Sequence, residues 1–85
     1  MESNEIIRKQ IFEIINNQLR ANKPPETKLT LQRLKGLGYN DLDSKKFIGQ
    51  CLAVELFHIL KHKEPFNESR YITNLKKLPE EPFDD

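Results

Sequence analysis

The chain has 85 residues, 36% of them hydrophobic and 32% charged, which is room for one domain and excludes two. Its apolar residues fall in periodic blocks, which excludes a disordered segment. Its 14 basic and 13 acidic residues give a net charge of +1; setting aside Glu80, Glu81, Asp84 and Asp85 leaves +5 on residues 1–79, too mild an excess for the strongly basic face of a nucleic-acid binder.

Ile7, Ile11, Ile14 and Ile15 recur at helical spacing, with Phe12 and Leu19 beside the stripe. This predicts an amphipathic first helix over residues 4–21, with Arg8, Lys9, Glu13 and Asn17 on the other side. Asn22 and Lys23 lead into Pro24-Pro25. These disfavour helix in the residues before them and allow Pro25 to open the next helix.

The second helix is predicted over residues 25–37, with Glu26 at its positive end and Leu31, Leu34 and Thr27 on one side. Gly38 is placed as the left-handed residue after the cap, with Tyr39 packing back on Leu34 in a Schellman ending. Leu37-Gly38-Tyr39 also resembles the loop of ubiquitin-associated three-helix modules. That likeness spans about a third of the chain and implies protein binding.

Asn40 is the expected N-cap of the third helix, with Asp41 and Asp43 in its first turn. Apolar residues from Phe47 to Leu60 run nearly all the way round it, which predicts neighbours on several sides. Gly49 and Ala53 form a small-residue strip for close helix approach. Cys51 lies among these residues and reads as a buried, inert thiol. Being single, it makes no internal disulfide. The apolar block from Cys51 to Leu60 is broken by Glu55 and His58, well short of the ~20 residues of a membrane span. With no secretory leader pattern at the start, the expected location is the cytoplasm.

Glu64-Pro65 ends that helix and Asn67 caps a fourth running to about Leu78, with Tyr71, Ile72, Leu75 and Leu78 inward. Phe66 and Tyr71 have the spacing of a hydrophobic staple. Pro79 stops the helix, and residues 80–85 form an acidic tail in which Phe83 is placed to dock on the domain. The expected fold is therefore all-α, one domain over residues 1–79, with four helices packed around the third. A core of this size yields roughly 3–5 kcal/mol, so self-association is a reasonable expectation.

For chemistry, Glu55, His58 and His62 lie along one face of the third helix. The Glu-x-x-His spacing is that of di-iron helices, but the second pair and further carboxylates such sites require are missing. They are weak metal candidates. Otherwise Glu55 bonds a neighbouring helix or a lysine, and the histidines sit at the negative helix end. Cys51 with His58 has no identifiable oxyanion hole. No enzyme activity or cofactor is expected. The second helix, the Gly-Leu-Gly-Tyr turn and the third helix loosely suggest a helix-turn-helix, but Asp41 and Asp43 would face phosphates, with Lys45 and Lys46 following. Nucleic-acid binding is the weakest alternative.

Two stretches together resemble a family of small bacterial proteins of unknown function. They are Asn22 to Thr27 with Arg33-Leu34 and Gly38-Tyr39, and Glu64 to Glu68 with Arg70-Tyr71 and Leu78-Pro79. The resemblance implies a compact helical domain and transfers no site residue. The functional expectation is a protein-interaction or regulatory module, working through a protein partner or as a homodimer. Leu29, Leu37 and Leu42, which flank the Gly-Tyr turn outside the core stripes, are its candidate partner surface.

Overall fold

A computed structural model describes residues 2–82 as four helices: α1 (Glu2–Ala21), α2 (Pro25–Gly36), α3 (Asp41–His62) and α4 (Glu68–Lys77). Phe83, Asp84 and Asp85 lie outside the described residues, and so does the docking expected of Phe83. The all-α expectation holds, with no strand among the described residues.

The helices start and stop where local chemistry directs. The Asn40 side chain accepts the Asp43 N–H at 2.7 Å, and Asn67 accepts that of Arg70 at 2.9 Å. Each cap satisfies a donor that the first helical turn cannot pair. Pro25 opens α2 directly after Pro24, without a side-chain cap.

Gly38 has φ +109°, and the Tyr39 and Gly38 N–H groups donate back to Leu34 and Lys35 carbonyls, completing the Schellman ending. Asn22 (φ 54°) and Lys63 (φ 56°) make equivalent left-handed exits from α1 and α3. Neither was read from the sequence. Phe66 and Tyr71 meet edge-on with ring centroids 5.5 Å apart, the expected staple.

The core unites Ile15 from α1, Leu34 from α2, Ile48, Cys51 and Leu52 from α3, and Tyr71, Leu75 and Leu78 from the α4 region. The α3 helix touches all three others, as its apolar pattern requires, but so does α2. The centre is thus an α2–α3 pair, flanked by α1 and α4, whose backbones do not approach each other and which meet through side chains such as Gln18 and Tyr71. Residues 7–12 of α1 sit beside 45–53 of α3, and 14–18 beside 52–59, so these two helices run parallel. They close at Gly49, where a Cβ would stand 3.1 Å from the Ile11 Cγ2. The small-residue strip does serve helix approach.

Two apolar patterns extend beyond the core. The N-terminal end of the α1 stripe leaves Ile7 exposed, and α3 leaves Phe57 and Leu60 exposed near its C-terminus. No described helix covers those turns.

Candidate functional site

Of the three weak metal candidates, Glu55 parts from the two histidines once the fold forms. Glu55 is buried in α3, and its carboxylate is taken by α4. The Arg70 Nε donates to Oε2 at 2.6 Å and its Nη2 to Oε1 at 3.0 Å, while the Asn67 backbone N–H adds a third bond to Oε1 at 2.9 Å. Burial alone would raise the carboxyl pKa. The Arg70 and Asn67 hydrogen bonds and the positive charge of Arg70 and His58 outweigh it and hold the group below the usual carboxylate range. Arg70, reciprocally, is held further toward its charged form.

His58 turns elsewhere. Its Nδ1 is buried without a hydrogen bond and lies 3.5 Å from the Glu64 Oε1. His62 is exposed, its ring 5.4 Å from that of His58. Phe57 and Lys61 complete a solvent-facing aromatic cluster there. Among the described residues no group of three or more His, Cys, Asp or Glu side chains is placed to hold a metal ion. Glu55 does bond a neighbouring helix, as the plainer reading supposed, through an arginine and not a lysine.

A second polar cluster was not anticipated. Gln18 Oε1 accepts from the Thr27 Oγ1 at 2.7 Å and the Tyr71 hydroxyl at 2.8 Å, and the two hydroxyls lie 3.2 Å apart. Two hydroxyl protons serve three contacts, so a bond between the hydroxyls would leave one bond to Gln18 unmade. Burial pushes the Tyr71 hydroxyl up to about 12 despite its hydrogen bonds. This network ties α1, α2 and α4 together. It is a structural device, like the Arg33 fork, which donates to the Leu78 and Leu75 carbonyls at 2.7 and 2.9 Å and closes the end of α4.

The signals for both were faint. A charged Glu55 within an apolar stripe asks for an opposite charge on the facing helix, and Arg70 adjoins the inward Tyr71. Nothing in the spacing singles out Gln18 or Arg33. Cys51 is buried, its thiol pushed up to about 12 chiefly by burial and then by the Glu55 charge, so little thiolate exists at neutral pH.

The surface candidates fare differently. Leu29, Leu37 and Leu42 are 61%, 60% and 54% exposed, outside the core. They do not line the hollows between α1 and α3. One hollow of about 370 Å³ lies between α1 and the first half of α3, with Ile7, Ile11, Phe12, Gly49 and Ala53 as its apolar lining. Another of about 390 Å³ lies further along the same helix pair, closed by Phe66. At the helix-turn-helix-like corner, Asp41 engages Lys45 at 3.2 Å and Lys35 at 3.7 Å. No described helix is long and apolar enough to cross a membrane.

No family model, curated protein or solved structure matches the chain.

Proposed function

We propose that this chain is a small non-enzymatic protein-interaction or regulatory module of the cytoplasm, acting through a protein partner or through a second copy of itself. The observation that carries this reading is the surface. Eight large apolar side chains, Ile6, Ile7, Leu29, Leu37, Leu42, Phe57, Leu60 and Phe66, are exposed on one small domain, whereas Glu55 and Tyr71 are committed to inter-helix hydrogen bonds and Cys51 is sealed. Apolar surface beyond what packing needs is the usual mark of a contact face. The resemblance to small bacterial helical proteins is compatible with this reading and adds no activity to it.

The test is a tagged pull-down from lysate of the native source, with and without nuclease, alongside sedimentation of the purified chain. A stoichiometric protein that survives nuclease and is lost with Leu29→Glu/Leu37→Glu/Leu42→Glu is the expected result for a heterologous partner; a concentration-dependent dimer is the expected result for self-association. A monomer that captures nothing, or only nuclease-sensitive material, overturns the reading.

A further inference from the structure

The groove between α1 and the first half of α3 differs from the two other hollows described, which are lined by Asp43 and by Glu55. Its rim carries Arg8, Lys45 and Lys46, and no carboxylate lines it. Lys45 is engaged by Asp41 at 3.2 Å, whereas Arg8 and Lys46 have no ion pair among the described residues. Asp43 lines the adjoining hollow, which shares Lys46 and Gln50 with this one. Between these cations Ile7 is exposed and Ile11 and Phe12 are half-buried, over a floor narrowed at Gly49.

Gln50, on the wall of both hollows, holds its Oε1 buried with no hydrogen-bond partner. A buried acceptor of this kind is costly unless a donor reaches it. A turn of the Gln50 side chain into the groove would offer this acceptor to the backbone N–H of an extended segment laid there. The site therefore asks for an acidic segment with an apolar anchor.

We infer that this groove receives the acidic segment, residues 80–85, of a second copy of the chain. The inference rests on the interaction-module reading above and names its occupant. Residues 80–85 carry four carboxylates around Phe83, an aromatic anchor among charges opposite to the rim. Two grooves set face to face would instead bring like charges together, which disfavours a groove-to-groove dimer.

The described start of the segment, Glu80 to Pro82, lies away from the groove of its own chain. The Glu80 N–H is pinned to the Lys77 carbonyl at 2.9 Å at the end of α4, whose backbone does not approach that of α1, the helix that forms half of the groove. Glu80, Glu81 and Pro82 take no part in its walls. Reciprocal exchange between two copies fills both grooves and closes a two-fold dimer.

Sedimentation velocity on the full chain, from micromolar to submillimolar, tests this. The expected result is a reversible dimer that weakens in about 0.5 M salt, where charges are screened within a few ångströms. Phe83→Ala should weaken it about thirtyfold, as loss of a buried aromatic anchor does. Arg8→Glu/Lys46→Glu should weaken it at least about tenfold, as the reversal of rim charges does. Mixing that variant with Glu81→Lys/Asp84→Lys should regain a heterodimer. Arg8 and Lys46 are exposed, so melting curves should show both sets folded.

A monomer throughout overturns the inference and leaves the module reading to the pull-down. A dimer indifferent to Phe83→Ala and to groove reversal overturns the inference while supporting the module reading through another face. Capture of a different acidic protein by a chain that stays monomeric overturns it likewise.

Discussion

The α2–α3 and α3–α4 corners do similar geometric work by different physics. At the first, Gly38 with φ +109°, the Schellman bonds from Tyr39 and Gly38, and the Asn40 cap on Asp43 all lie within ten consecutive residues, 34–43. At the second, Lys63 makes the left-handed exit and Asn67 the cap. The corner is then clamped from within by Glu55, which holds groups 12 and 15 residues later in the chain. A corner built from backbone dihedrals should weaken in small steps and ignore pH. A corner built on a buried charge should depend strongly on its partner and on protonation.

The sharpest way to break the second corner is to remove one member of the pair. Arg70→Met should give the largest loss of stability of all, because it leaves the Glu55 carboxylate buried with only the Asn67 N–H. Glu55→Gln should cost less, about 1–2 kcal/mol, since Arg70 keeps access to water and the amide keeps some of the bonds. Glu55→Leu/Arg70→Met should recover much of the loss, as buried pairs replaced by apolar residues often do.

The pH dependence follows the same asymmetry. Glu55 binds its proton less readily in the folded chain than in the unfolded chain, whose ordinary value is 4.5. Its contribution is thus present above that value and is lost as pH falls through the lower folded pKa. Chemical denaturation of the wild type and Glu55→Gln should show a gap at pH 7 that closes in acid. A gap that stays constant would show that the carboxylate's charge is not what holds the corner.

The two left-handed exits give the next largest effects, and of opposite sign. Gly38→Ala should destabilise by about 1–2 kcal/mol, because a side chain is strained at that φ although nothing lies within 4 Å of the new Cβ. Lys63→Gly should stabilise by up to about 1 kcal/mol, because it removes the same penalty from a residue whose side chain is exposed. Thermal melts at two pH values test both. Neither difference should change between them.

How much was legible follows from the same division. Asn40, Gly38, Asn67 and the Phe66–Tyr71 staple could be read because each signal lies within a few residues of what it determines. The core stripes could be read wherever another helix covers them, but the pattern cannot report which turns stay uncovered, and so Ile7, Phe57 and Leu60 were expected inside. Lys63 carries no left-handed preference and Asn22 only a weak one. The Glu55–Arg70 pair, the Arg33 fork and the Gln18–Thr27–Tyr71 network join helices whose relative placement no spacing encodes. The metal candidacy of Glu55, His58 and His62 came from one helix face, and the facing helix gave Glu55 a different partner.

The smallest effects separate surface from support at the same two corners. Leu37 is 60% exposed, and its cap bonds come from its backbone N–H to the Arg33 and Leu34 carbonyls. Leu37→Lys should therefore leave stability within about 0.5 kcal/mol of the wild type, as surface substitutions do. Leu37→Glu should fall below it by a few tenths of a kcal/mol more, because a carboxylate opposes the negative end of α2. Phe66 is also an exposed aromatic, yet its ring staples Tyr71, so Phe66→Ala should cost about 1 kcal/mol, near the range of aromatic pairs. If Leu37→Lys also abolishes partner capture or assembly while the melt is unchanged, the side chain serves the contact face and not the fold. If it lowers the melt as much as Phe66→Ala and leaves assembly intact, Leu37 supports its corner, and the contact face must be sought among the other exposed apolar residues.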